Sequence, residues 1–509
     1  MNIQCTWTSI RCLRLGILLL FVLGLFGCAA LSESEQVSKN EQRDETISLK
    51  ILHLNDIHAS IGDFAYIATY IETERKKNDY FLHLNAGDLF SGDPVVDLQQ
   101  GTPIIELLNK LELNAVTMGN HDFDYGQEHT AAAKDLSNFP WLSANTIVVD
   151  KTTPIQQPKP YVIFELEELT VGVLGLTQSP PSTAPASIEG LEFLDLKETI
   201  EKYSFLRDEV DVFIGLTHVG IQADRMIAKQ YNLFDVIIGG HSHTVIENPE
   251  TINHTAIAQA GANGLYIGDI TIDIDRKSRK IVNIDGRLQS VEELQERDEE
   301  IQAMVEQYID EMATTLQKVI GNTKTGLTRV GRNERDVPLG NFWTDAMRHM
   351  TGSDIALTNN GGIRNSIEPG EITSGDIYTV EPFQNDSVEF KMTGQAIKNV
   401  IEFSFKRGNQ IDLQTSGLHY TIFTNDKGQY VDSLLEVDGK AIDLDETYHV
   451  ITNSYLASGG DGYHFEGEVI LPAAGNLANA LIIYAEQIMK EKGSIDYEDE
   501  GRILIRRAE

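Results

Sequence analysis

Beyond residue 28 this chain contains no cysteine: Cys5, Cys12 and Cys28 are its only three, in 509 residues. No intramolecular disulfide can form downstream of that point, so cysteine usage says nothing about compartment. Positive charge is scarce too. Lys and Arg number 41 against 77 Asp and Glu, a formal net charge of −36. This argues against a basic surface for nucleic acid polymers or anionic membranes. It leaves open a small phosphorylated substrate, which a local pocket of metal ions and Arg can hold on an acidic protein. The chain is too long for one core, so at least two domains are expected.

Residues 1–28 read as a targeting segment. Arg11 and Arg14 precede the apolar run from Leu15 to Gly27, which is too short to span a bilayer comfortably and has the length of a signal h-region. It ends in Leu25-Phe26-Gly27-Cys28, which resembles a bacterial lipobox. Cys28 is therefore the predicted lipidation site, and the protein is expected to be exported, periplasmic or cell-surface, and held to a membrane by an N-terminal lipid. The bland alternatives are an ordinary secretory signal and an uncleaved anchor. Residues 29–48 include SESEQVSKNEQRDET, a polar run without periodicity, expected to form a flexible tether.

From residue 49 to 289 apolar runs alternate with amphipathic stretches such as Phe64–Lys77 and Thr102–Leu111. That alternation predicts a layered α/β domain. Residues 290–320 carry apolar side chains at helical spacing and are expected to form a connecting helix, or else a surface helix of the first domain. A second α/β domain is expected over 321–509. It has helix signals at Leu339–Arg348, Gln395–Phe405 and Leu477–Lys490, and strand signals at Asp354–Leu357, Leu418–Phe423 and His449–Thr452.

Five apolar runs in the first domain end in potential metal ligands: ILHLNDIH (Asp56, His58), FLHLNAGD (Asp88), AVTMGNHD (Asn120, His121), VFIGLTH (His218) and DVIIGGHSH (His241, His243). Each reads as a buried strand running into a loop. Five strand ends delivering O and N donors can build one site, and such donors suit a pair of divalent cations. Paired cations are standard machinery for displacement at phosphorus. Asp88 is the acidic strand-end candidate for a bridge between them once Asp56 is used. A lone Asp or His at a strand end is usually a cap or a packed residue; the whole set is hard to explain that way. His53 and His83 sit inside apolar strands and are left out as ligands.

Asp-x-His, Gly-Asp, Gly-Asn-His-Asp and Gly-Gly-His-Ser-His, in this order, resemble the calcineurin-like metallophosphoesterases. Farther on come Asn359-Asn360-Gly361-Gly362-Ile363-Arg364, Glu381-Pro382-Phe383 and Ser454-Tyr455-Leu456-Ala457-Ser458-Gly459-Gly460-Asp461-Gly462. These resemble the C-terminal, nucleotide-binding domain of the 5′-nucleotidase and UDP-sugar hydrolase family. The resemblance implies two divalent metal ions, with Zn, Mn, Co and Mg as candidates. One would be held by Asp56, His58, Asp88 and His243, the other by Asp88, Asn120, His218 and His241. It implies His121 and Asp124 as a catalytic dyad and a metal-activated water as nucleophile. Asp122 stands where many members have Glu, and no role is assigned to it; Asp124 or Asp122 could merely cap the following helix. For the substrate, the resemblance implies Arg364 on phosphate, Asn359 on the base, the base stacked between Phe383 and Tyr455, and Asp461 on the ribose. Tyr455 replaces the commoner Phe. A further Arg is expected before Gly340-Asn341, with Arg332 the choice and Arg335 the alternative.

The implied function is an exported metal-dependent nucleotidase acting on 5′ phosphoesters, with UDP-sugars as a further substrate class. Alternatives are a 2′,3′-cyclic nucleotide phosphodiesterase with 3′-nucleotidase activity and, from another class, a non-catalytic surface binding lipoprotein.

Overall fold

The structure, a computed structural model, describes residues 45–508 apart from 182, 184 and 384. The signal segment, Cys28 and most of the expected tether lie outside the described residues. The tether expectation ran to Ser48, but the strand Thr46–Leu54 already includes its last three residues. Ile47 and Leu49 alternate with polar neighbours and are buried, which is strand patterning rather than tether composition.

Two six-stranded sheets form the centre of the first half. The first runs Ile281–Ser290, Tyr266–Asp275, Thr46–Leu54, Tyr80–Asn85, Ala115–Thr117, Trp141–Leu142; its last four strands are mutually parallel. The second runs Glu250–Ile252, Thr255–Ala258, Val236–Gly239, Val212–His218, Leu169–Thr177, Tyr161–Leu166, with four parallel strands in its middle. Ile47, Leu49 and Ile51 point into the core shared by the two sheets, against Val171, Ile214 and Val236. Leu52 and Leu54 point the other way, under the helices Phe64–Lys77 and Thr102–Lys110. Parallel strands buried on both faces must be apolar throughout, which is why these runs stand out in the sequence. The helices Leu196–Tyr203 and Ile221–Gln230 cover the far face of the second sheet.

The helix Glu299–Leu316 buries Ile301, Val305 and Tyr308 in the first-half core, so it is packed on that domain rather than free-standing. It also touches the helix Ser374–Val380 of the second half. There a five-stranded sheet is ordered Leu413–Ser416, Ile355–Asn359, Thr447–Asn453, Asp386–Thr393, Glu468–Asn476. Ala356 faces the helices Pro338–Thr351 and Leu477–Lys492. Ile355 and Leu357 face the helix Gly394–Lys406, which a four-stranded sheet covers from its other side. Helices and strands thus form where the sequence patterns predict them in this half. Both halves are mixed α/β.

His53 and His83 are fully buried inside their strands. Among the described residues, the ring nitrogens of His53 and His83 have no hydrogen-bond partner. Burial pushes His53 down to about 4 and His83 down to about 3. Both rings are thus neutral core side chains, as their exclusion from the ligand set supposes. In carbon-13 histidine spectra, neither imidazole is expected to titrate between pH 8 and 5. A midpoint above pH 6 at either ring would mean that water or a polar partner reaches it.

Candidate active site

Three loops leave the C-terminal ends of strands in the first sheet and two leave the second. All five converge at one edge, where ligands of parallel sheets collect. The turns are tight. Asp56 and His58 have φ of +49°, Asp88 +55°, His241 +75° and His243 +52°, all left-handed. Each such residue costs about 1–3 kcal/mol and persists only when its surroundings over-determine it. They do. Asp56 N–H donates to Gly87 O (2.9 Å) and His58 N–H to Asp88 O (3.0 Å). His241 N–H donates to Asp56 Oδ1 (2.9 Å) and His121 N–H to Asp88 Oδ1 (2.8 Å). A Cβ on Gly119 would lie 2.2 Å from Asp88 Oδ1, so only glycine lets that loop close on the carboxylate.

Among the described residues the donor atoms gather in three groups, of which the middle one, His58, Asp88 and His121, shares a residue with each of the others. Asp56, His58 and His243 lie within mutual ligand range, as do Asp88, His218 and His241. The His58 and His243 Nε2 atoms are 2.9 Å apart. His218 Nε2 is 3.0 Å from Asp88 Oδ2 and 3.2 Å from Asn120 Oδ1, and His241 Nδ1 is 2.8 Å from the same amide oxygen.

These contacts test whether cations fit. His58 Nδ1 faces the Ser91 carbonyl (3.1 Å) and His218 Nδ1 the Ala86 carbonyl (2.7 Å). A carbonyl only accepts, so Nδ1 carries the proton in each ring and Nε2 presents a lone pair. Those lone pairs then point at another imidazole, a carboxylate and an amide oxygen. Acceptors facing acceptors in a buried site are repulsive unless a cation or added protons stand between them. The N and O set fits divalent metal ions, and backbone carbonyls behind the rings are the usual support for metal-bound imidazoles.

His121 Nδ1 lies 2.6 Å from Asp124 Oδ2. Asp124 also accepts from Ser91 Oγ (2.7 Å) and Thr183 Oγ1 (3.1 Å). Burial alone would lower the His121 pKa, but Asp124 and Asp88 outweigh it and raise it above its ordinary value. Gly126, not Asp122 or Asp124, caps the helix Gln127–Leu136. His121 is also within ligand range of His58 and Asp88.

From the second half, Phe383 stacks on the His121 ring with centroids 5.7 Å apart. The Arg364 guanidinium lies 5.5 Å from the Phe383 centroid. Asn359, Arg364, Phe383, Tyr455 and Asp461 line one cleft together with Asn120, His121, Asp124 and His241. Arg332 is not among its lining residues. It is half-buried, close enough to Arg364 and to the Asp412 carboxylate to feel the charge of each. Arg335, the alternative, pairs with Asp499 at 2.6 Å.

Sequence reasoning missed four supports. Asp122 accepts from the backbone N–H of Gly119 (2.7 Å), Leu89 (2.8 Å) and Asp88 (3.2 Å), so its carboxylate ties two ligand loops together. Ser91 supplies its carbonyl to His58 and its hydroxyl to Asp124. Asn385 bonds Glu381 (2.9 Å) and accepts from Ser454 Oγ (3.1 Å), joining the segments of Phe383 and Tyr455. Arg329 donates to Ile363 O (2.6 Å), and burial with Arg332 and Arg364 pushes it down to about 10. None has a motif of its own; Asp122 alone carried a signal, as an acid inside Gly-Asn-His-Asp.

Residues 49–245 match the calcineurin-like phosphoesterase family and residues 319–467 the 5′-nucleotidase C-terminal domain. The first half thus carries a calcineurin-like phosphoesterase domain and the second a 5′-nucleotidase C-terminal domain. The first match is to phosphoric ester hydrolases and implies divalent metal ions, for which the donor cluster just described is the candidate. The chain is 30% identical to the trifunctional nucleotide phosphoesterase protein YfkN of Bacillus subtilis, over 94% of this chain and 36% of that one. It is 29% identical to a 5′-nucleotidase of Vibrio vulnificus, over 86% of this chain and 89% of that one. The solved 5′-nucleotidase precursor from Thermus thermophilus superposes with a TM-score of 0.77 at 25% identity, covering 90% of this chain and 99% of its own. The chain spans 36% and 43% of two longer Bacillus subtilis relatives.

The Asp122 network generates a stability test. Asp122→Ala leaves buried N–H groups unpaired, each costing about 1–3 kcal/mol. A loss of about 2–4 kcal/mol is expected in urea unfolding of the metal-free protein. A loss below about 0.5 kcal/mol would mean that water replaces the carboxylate without penalty.

Proposed function

We propose that the protein hydrolyses the 5′ phosphoester of nucleotides with two divalent cations at the strand-end cluster. The observation that carries this is the shared cleft: His121, Asn120 and His241 from one half meet Arg364, Phe383 and Tyr455 from the other. Asp56, His58, Asp88 and His243 would hold one cation, and Asp88, Asn120, His218 and His241 the other. Bound there, divalent ions supply Lewis acidity at phosphoryl oxygens and a more acidic water as nucleophile. The other steps fall to the chain itself. His121, kept protonated by Asp124, stabilises charge developing on the phosphoryl group. Arg364 takes a phosphate oxygen with its planar fork. Phe383 and Tyr455 stack the base, which tolerates different bases because each has a π face. Asn359 meets the base edge and Asp461 the ribose.

Substrate breadth belongs to the same proposal. One relative's name calls it trifunctional, so AMP, UDP-glucose and 2′,3′-cyclic AMP form the natural panel. Export is proposed on the signal segment, with lipidation at Cys28 holding the chain to a membrane. A relative of 27% identity is a cell wall protein of Listeria monocytogenes. Among the described residues no helix is long and apolar enough to cross a membrane.

Two variants separate the roles. His121→Ala should keep both metals, counted per chain by elemental analysis, while kcat falls by about 10²–10³; loss of a metal would make His121 a ligand. Replacing Phe383 and Tyr455 together with Ala should cost AMP hydrolysis about 2–4 kcal/mol in kcat/KM. Cleavage of p-nitrophenyl phosphate, which has no base, should fall far less. Equal losses would assign these aromatics to the fold, and no loss on either substrate would put the base elsewhere.

A further inference from the structure

Ser91 supports two parts of the site at once. Its carbonyl faces His58 Nδ1 at 3.1 Å, and its hydroxyl donates to Asp124 Oδ2 at 2.7 Å. His58 belongs to the donor cluster, and Asp124 holds His121. A shift of Ser91 therefore disturbs both. Yet its own backbone is left-handed, with φ of +66°. A residue with a Cβ rarely holds that conformation unless its neighbours impose it.

A phenol backed by a carboxylate imposes it. Ser91 N–H donates to the Tyr125 hydroxyl at 3.0 Å. That hydroxyl donates in turn to Asp97 Oδ1. Asp97 also accepts from the next backbone N–H, that of Gly92, at 3.1 Å. Two consecutive N–H groups of the loop thus end on one Tyr–Asp pair. Ser91 and Asp97 are both buried, so water is a poor substitute for either partner. Gly92 lies directly against His58: a Cβ there would come within 2.4 Å of His58 O. An N–H can only donate, so the phenol oxygen accepts from Ser91 and gives its own proton to Asp97. With both of its roles engaged, the hydroxyl has one orientation. The Tyr125 ring is held as well, its centroid 5.0 Å from that of Phe90.

We propose that Tyr125, clamped by Asp97, is a positioning residue for phosphoester hydrolysis: by fixing Ser91 it sets His58 toward its cation and Asp124 toward His121 together. This rests on the metal and dyad part of the nucleotidase reading, not on its base-binding part. Ser91, Asp97 and Tyr125 do not line the cleft. Loss of the clamp should therefore slow turnover and loosen metal binding while substrate binding stays nearly as it was.

The test measures Tyr125→Phe in the full chain, with AMP and p-nitrophenyl phosphate as substrates and Mn²⁺ returned after chelation. Phe keeps the ring and removes only the hydroxyl. On both substrates kcat should fall about tenfold with KM within about twofold. The Mn²⁺ concentration for half-maximal rate should rise about five- to tenfold, the scale of a weakened support behind a metal-bound imidazole. Ser91→Gly isolates the branch to Asp124, because glycine accepts the left-handed backbone and keeps the carbonyl. There kcat should fall while the Mn²⁺ requirement stays within about twofold. Unchanged kcat and Mn²⁺ requirement in Tyr125→Phe, even with earlier unfolding in urea, would make the Tyr–Asp pair a piece of the fold. A loss confined to AMP would place its effect at the base. Either result overturns the proposal. If Tyr125→Phe does not fold, Asp97→Ala, which leaves the phenol unclamped, must show the same pattern or the proposal falls. Failure of the nucleotidase reading looks different: the unaltered protein would cleave p-nitrophenyl phosphate but not AMP, and the Tyr125→Phe comparison would still decide on that substrate.

Discussion

Everything at the site depends on how one carboxylate is held. Asp88 sits in left-handed backbone, fully buried, between two strand-end loops. Its carbonyl accepts from His58 N–H, its Oδ1 accepts from His121 N–H, and its Oδ2 faces His218. Its own N–H is held by Asp122, and the missing side chain of Gly119 makes room for it. A buried carboxylate is costly unless paired. Burial would raise the Asp88 pKa, but without metal an added proton on His218 and on His121 makes both rings cationic, and these charges keep it well below the usual range. Cations do the same job more strongly. The ionised form is therefore what the surrounding charges favour even without metal.

That constraint explains why strain collects in one place. Seven of the sixteen left-handed non-glycine residues among the described residues lie in the loops of this site, at Asp56, His58, Ala59, Asp88, Ser91, His241 and His243. Two sheets packed face to face bring five strand ends to one edge without distortion of the core. The strain then falls on the loops that follow the strands, where backbone hydrogen bonds from neighbouring loops hold it. The stored cost stabilises nothing by itself. It fixes donor atoms before a ligand is present, so binding loses less entropy and the geometry needs less rearrangement.

The sequence made the strand ends readable because buried parallel strands are unbroken apolar runs. An Asp, Asn or His closing such a run is conspicuous. The same logic made His53 and His83 readable as core residues, since each lies inside a run rather than at its end. What stayed hidden acts through backbone groups or across long sequence separations. Asp122 works by accepting three N–H bonds, Ser91 through its carbonyl and hydroxyl, and Asn385 by joining two loops 69 residues apart. No local pattern encodes those partners. Arg332 illustrates the limit from the other side. Spacing alone cannot say which of several Arg in one loop turns toward the cleft; Arg332 is half-buried near Arg364 and Asp412, and Arg335 pairs with Asp499.

The division between halves also resolves an electrostatic conflict. A chain with a net charge of −36 repels phosphate at long range. At physiological ionic strength, however, charges more than about 8 Å apart are largely screened. What a phosphoryl group meets inside the cleft is local: raised-pKa His121, the Arg364 guanidinium, and the positive ions implied by the donor set. Each is close, partly desolvated and weakly screened. The acidic exterior can then remain solvated and soluble without opposing the site. Asp461 puts the opposite sign elsewhere in the same cleft. A ligand with phosphate at one end and neutral hydroxyls near the other therefore finds complementary charge only in one orientation, with its phosphate toward the strand ends. Orientation, not overall attraction, is what this charge pattern supplies.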